Sequence, residues 1–200
     1  MSLNFDLQSV LSEFGIESQI KSYGNGHIND TFCTEDSEYI LQKINTEIFT
    51  NPYELMENID NVTSFLKNKI KECGGDPDRE TLTVIKTKDG QKCFKASNGF
   101  TYRVYKFINN TKTVENDVSL GDVFNAGVGF GKFQRMLNDF PVELLYETIK
   151  DFHNTPKRFK DFLNDTSNNI NDPTEQALFA TRMQSLKKLL KMIWQEGYQW

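Results

Sequence analysis

The chain has little histidine, cysteine, proline or tryptophan: 2 His, 3 Cys, 5 Pro and 2 Trp in 200 residues. Three cysteines, Cys33, Cys73 and Cys93, are odd in number and far apart, which excludes a disulfide framework and a thiolate metal centre. None has a histidine beside it, so thiol catalysis has no base. There is no excess of basic residues: the formal charge is −5 and the lysines and arginines are dispersed, which argues against a nucleic-acid partner. No apolar run approaches the roughly 18 residues of a membrane span, and "MSLNFDLQSV" lacks a basic stretch followed by an apolar core. These absences describe a soluble cytoplasmic protein with no membrane partner.

What is present suffices for a packed core, with 38% hydrophobic and 12% aromatic residues. Helical spacing predicts a short helix over 4–14, and three strands follow at 17–23, 28–34 and 38–45, the simplest arrangement being sequential and antiparallel. A long helix is expected over 52–72, with Asn51 as N-cap, Pro52 in the first turn and Leu55, Ile59, Val62, Leu66 and Ile70 on one face. "GGDPD" breaks it, and strands are expected at 81–86, 91–95 and 100–108. Beyond "NNTKT" the texture turns helical, at 117–138, briefly after Pro141, at 156–163 and at 173–194, with the polar tract 164–173 as a mobile loop. The expected division is a lobe at 1–108 and the start of a helical lobe at 109–200.

Two glycine clusters invite a phosphate-loop interpretation. "NAGVGFGKFQ" fails it, because Ala126 stands where a P-loop needs its first Gly and Phe133 where it needs Ser or Thr. Ala126, Phe130, Phe133 and Leu137 form a helical stripe instead, and the glycines are expected to permit close helix packing. "YGNGHINDTF", from Tyr23, is different. By itself Gly24-Asn25-Gly26 is an ordinary hairpin turn, but Lys43 lies on the next strand and Glu57 on the next helix. A glycine hairpin whose backbone N–H groups approach phosphate, then a cation on a strand, then an acid on a helix, is the order of the first half of a protein-kinase-like site.

The motifs "GNGHINDTF", "EYILQKINTEIF", "NPYELMENIDNVTSFL", "YRVYKFI" and "ETIKDFHNTPKRF", in this order, resemble the N-acetylhexosamine 1-kinase-like branch of the aminoglycoside phosphotransferase superfamily. The resemblance covers about Tyr23 to Phe159. It implies an α+β, protein-kinase-like fold and ATP- and Mg²⁺-dependent phosphorylation of a small sugar, at the anomeric hydroxyl of an N-acetylhexosamine. It places Gly24, Gly26, His27, Asn29, Asp30 and Thr31 in the phosphate-covering loop, either Gln42 or Lys43 toward the phosphates, and Glu57 as the helix partner. Lys106, Phe107 and Ile108 would form the hinge against adenine, and Asp151, His153, Asn154 and Thr155 would begin to enclose the sugar. Some relatives are called mucin desulfatase, but no cysteine here begins the Cys-x-(Pro/Ser/Ala)-x-Arg signature of sulfatases.

The family's His-(Asn/Gly)-Asp-x-x-x-x-Asn catalytic loop and its later metal-binding Asp are not among these residues. The expectation is therefore an amino-terminal lobe with the first helices of a second lobe, inactive in transfer by itself and with its Mg²⁺ ligands elsewhere. A non-catalytic nucleotide-binding module is the competing expectation.

Overall fold

A computed structural model describes residues 7–24, 26, 28–111, 113, 114, 118–169 and 172–195. The chain opens with helix α1, Leu7–Glu13, whose Val10 and Leu11 are fully buried. Strands β1 (Ile20–Ser22), β2 (Asp30–Thr34) and β3 (Tyr39–Lys43) follow and pair antiparallel in sequence, as expected. Thr34 closes the β2–β3 turn, its hydroxyl accepting the N–H groups of Glu38 and Tyr39 at 3.2 and 3.0 Å.

Helix α2 occupies Pro52–Glu72, the bounds its signals predict. The Asn51 side chain accepts the N–H groups of Tyr53 and Glu54, at 3.2 and 3.3 Å, while Pro52 has no N–H to satisfy. At the other end Gly74 is left-handed (φ 73°), and the N–H groups of Gly74 and Gly75 bond to the carbonyls of Lys71 and Ile70, both at 2.9 Å. This is a Schellman stop. Met56, Thr63, Leu66 and Ile70 lie on the buried side of the helix.

The break after α2 contains a single helical turn, α3 (Pro77–Glu80), capped by Asp76. Strands β4 (Val84–Ile85), β5 (Phe94–Lys95) and β6 (Thr101–Lys106) complete the sheet, in the order β1-β2-β3-β6-β4 with β5 also on β6. The strands expected at 81–86 and 91–95 shorten to two residues each because both use one edge of β6: β4 pairs with Val104 and Tyr105, β5 with Thr101 and Tyr102.

Side chains alternate across a strand, so the sheet has two distinct faces. Leu41, Tyr102 and Val104 meet Val10, Leu11, Phe14 and Ile16 on the α1 side. Ile44 and Cys93 meet Met56 on the α2 side, with Ile59 and Val84 packed against them.

Helix α4 (Leu120–Met136) starts in a Ser119/Asp122 capping box. A 3-10 turn at Val142–Leu144 and helices α5 (Thr155–Asn169) and α6 (Pro173–Gln195) follow. The polar tract expected as a loop is helical as far as Asn169. It holds neither Gly nor Pro before Pro173, so polarity by itself does not end the helix begun at Thr155. The close packing expected of the α4 glycines is also absent: a Cβ at Gly127, Gly129 or Gly131 would meet no atom within 4 Å, and Phe124 and Phe130 are each 72% exposed.

The chain divides into two compact units between Ile149 and Lys150. The segment after α4 belongs to the first because it is bound to the outer side of α2. Lys69 pairs with Asp139 at 2.6 Å, and Asn58 exchanges two 2.8 Å hydrogen bonds with the backbone of Tyr146. Among the described residues no helix is long and apolar enough to cross a membrane.

All three cysteines are free; Cys33 and Cys93 are buried, and burial pushes the Cys93 thiol up to about 11. A thiol-specific reagent at pH 8 is expected to label Cys73 rapidly and Cys33 and Cys93 only after denaturation; fast labelling of all three would contradict this core. Because Gly127 sits in a helix interior with open space around it, Gly127→Ala is expected to stabilise the protein by about 0.5–1 kcal/mol, read from urea denaturation midpoints.

Candidate functional site

The hairpin between β1 and β2 is fastened to the strand beyond it. Gly24 is left-handed (φ 74°), which reverses the chain after Tyr23, and the Tyr23 N–H bonds to the Thr31 carbonyl at 2.9 Å. His27, like Asn25, lies outside the described residues. Among the described residues beyond its chain neighbours, a Cβ on Gly26 would touch only the Asn29 carbonyl oxygen, at 3.9 Å. The Asn29 Oδ1 accepts the Asn45 N–H at 3.0 Å, tying the loop to the chain leaving β3.

A polar row crosses three strands from this loop. Thr31 stands opposite Gln42, and Gln42 opposite Arg103. The Gln42 amide donates to Thr31 Oγ1 at 3.0 Å, and its Oε1 accepts from Arg103 Nε at 3.1 Å. By alternation from Ile44, this row is on the face that α2 covers. Arg103 is 8% exposed, and its guanidinium carbon sits 5.2 Å from the centre of the Tyr105 ring. Burial pulls its pKa below the ordinary arginine range, Tyr105 and Cys93 pulling the other way. An arginine is nonetheless charged at neutral pH.

Lys43 points to the opposite face. Its ammonium bonds Asp30 at 2.5 Å and lies 4.4 Å from the centre of the Phe100 ring. Glu57, on α2, bonds Lys92 at 2.6 Å, and Asp60 holds the same ammonium at 2.8 Å. Burial opposes the charge on Lys92, but the hydrogen bonds it donates to Asp60 and Glu57 outweigh it and raise the pKa. The structure therefore joins Gln42 to the glycine loop and does not join Lys43 to Glu57, because a one-residue step along β3 changes the face. Sequence reasoning missed both Arg103 and Lys92. A lone arginine between aromatic and apolar residues in "YRVYKF" is the available signal for the first; Lys92 has none.

At the end of β6, the Lys106 ammonium bonds Asp78 at 2.9 Å, and the Phe107 N–H bonds the Glu38 carbonyl at 2.8 Å. The Phe107 ring meets Tyr23 edge to face with centroids 5.5 Å apart, so the segment expected as a hinge touches the residue that leads into the glycine loop. Ile108 lines an apolar cleft of about 710 Å³ with Ile59, Val62, Leu66, Leu82 and Phe133.

In the second unit, Asp151 has φ 57° and its carboxylate accepts from the Asn154 amide at 3.2 Å. The Asn154 Oδ1 accepts the Lys157 N–H at 3.1 Å and caps α5, which starts at Thr155. The Phe152 and His153 rings meet at 5.0 Å, and the His153 carbonyl accepts the Thr155 N–H at 2.9 Å. These four expected substrate residues make a capped turn. Among the described residues no three His, Cys, Asp or Glu side chains gather as a metal set.

No protein-family model matches the chain. Among solved structures it is similar to an aminoglycoside phosphotransferase from Alicyclobacillus acidocaldarius subsp. acidocaldarius DSM 446, with a TM-score of 0.56 and 14% identity over 96% of this chain and 53% of that one. The chain thus spans about half the length of that protein. At this identity the likeness concerns the fold: the antiparallel sheet with its helices is the α+β, kinase-like arrangement that the sequence led one to expect.

Proposed function

We propose that the chain is the nucleotide-binding part of an ATP-dependent phosphotransferase that acts on an alcohol group. The observation that carries this is the fastening of the glycine hairpin to β3 and the chain beyond it through Asn29, Thr31 and Gln42. Such a hairpin presents backbone N–H groups where no side chain intervenes, which is what a phosphate chain requires. The fold likeness supports the kinase class.

In this proposal residues 1–108 form the nucleotide lobe and 109–200 the start of the helical lobe. The backbone from Lys106 to Ile108 receives adenine, and Asp151, His153, Asn154 and Thr155 face the second substrate. The motif resemblance supports an N-acetylhexosamine as that substrate, phosphorylated at its anomeric oxygen. Three free thiols fit a reducing cytoplasm. Transfer also needs an Asp beside the attacking hydroxyl and ligands for Mg²⁺, and the His-(Asn/Gly)-Asp-x-x-x-x-Asn pattern expected to supply them does not occur in this sequence. The chain by itself is expected to bind ATP without passing its phosphate on.

Calorimetric titration with ATP and with adenosine checks this. Saturable ATP binding is expected, and Gly26→Val is expected to weaken ATP about tenfold, equivalent to about 1.4 kcal/mol, while adenosine is unaffected. Unchanged ATP affinity in that variant would make "GNGH" an ordinary turn.

A further inference from the structure

We propose that Arg103 is the cation that receives the phosphate chain of the bound nucleotide, the role expected of a lysine on β3. This rests on the nucleotide-binding function proposed above. Among the described residues, Arg103 Nη1 is the buried side-chain nitrogen or oxygen without a hydrogen-bond partner, and Arg103 belongs to none of the ion pairs. A guanidinium removed from water without a counter-charge is costly, and proteins ordinarily pair such a group. The neighbours here are neutral: the Gln42 amide on one side, the Tyr105 ring and the Cys93 thiol on the others. What the site lacks is an anion.

The polar row indicates which anion. Arg103 is held at Nε by Gln42, Gln42 is held to Thr31, and Thr31 opens into the glycine hairpin. Gln42 and Thr31 thus link the orphaned group to the hairpin that the proposed function assigns to phosphate, and a planar guanidinium matches phosphate oxygens through paired N–H donors. Lys43 is committed to Asp30 on the other face. Nη1 has no solvent access, so phosphate reaches it only when the face opens.

The test uses the 200-residue chain with ATP, adenosine and inorganic tripolyphosphate as probes. Calorimetry is expected to show Arg103→Met losing ATP affinity by about 30-fold or more with adenosine binding retained, and Arg103→Lys falling between the two. Retained adenosine binding certifies the fold of the variant. An independent readout in the unsubstituted protein is the Arg103 Nε–Hε resonance, assigned from the Arg103→Lys spectrum, which is expected to move with ATP or tripolyphosphate and not with adenosine. If the unsubstituted chain binds ATP but Arg103→Met binds it equally, or the resonance stays still, Arg103 is not the phosphate contact and the nucleotide function stands. Loss of ATP affinity in Lys43→Met with Arg103→Met unaffected overturns the proposal in the same way. If the unsubstituted chain binds neither ATP nor adenosine, the nucleotide function falls and this proposal with it.

Discussion

The pairing of β3 with β6 is the constraint on which the rest of the structure depends. Leu41 opposite Val104 puts two fully buried side chains on the α1 face and completes that core. The same register puts Gln42 opposite Arg103 on the α2 face. A shift of one residue would turn Gln42 into the α1 core and Leu41 toward the polar row, so the hydrophobic demand of one face fixes the polar geometry of the other. The placement of the glycine hairpin follows, because Thr31 is held by Gln42 and Asn29 by the N–H just beyond β3.

That coupling leaves an electrostatic imbalance at the centre of the sheet. Elsewhere the charged groups meet in pairs near the surface, such as Lys43 with Asp30 and Lys69 with Asp139. Contacts of this kind contribute little to stability. Arg103 differs in being both buried and without an acid. One amide oxygen and an aromatic face offset only part of the desolvation of a guanidinium. A cost of this kind, retained at the centre of an otherwise satisfied sheet, is characteristic of positions selected for binding rather than for stability.

Legibility in the sequence followed the strength of local signals. Helix α2 was readable to the residue because cap, proline, apolar stripe and terminal glycines all agree. The consecutive hairpins were readable from their turns. The face of β3 was not: "YILQKI" places apolar residues at Tyr39, Ile40, Leu41 and Ile44, a run without alternation, so period gives no parity between Gln42 and Lys43. Only the partner strand resolves it. Lys92 and Arg103 escaped because a single charge carries no local pattern, and their meaning lies in contacts 35 and 61 residues away in sequence. The tract after Asn164 was misread from composition, and the α4 glycines were assigned a packing role that their open surroundings do not contain.

Helix α2 also shows how the site is braced from behind. On its sheet side, Glu57 and Asp60 both hold Lys92, which immediately precedes the buried Cys93. On its outer side, Asn58 holds the backbone at Tyr146 and Lys69 holds Asp139. Residues 57, 58 and 60 therefore connect two layers across less than one turn of a stiff helix. A displacement of the Asp139–Tyr146 segment would act through α2 on the same sheet face that carries Gln42 and Arg103. The acid on this helix is thus engaged by Lys92 and not by Lys43, which is why the proposed phosphate-facing charge falls to β6 in place of β3.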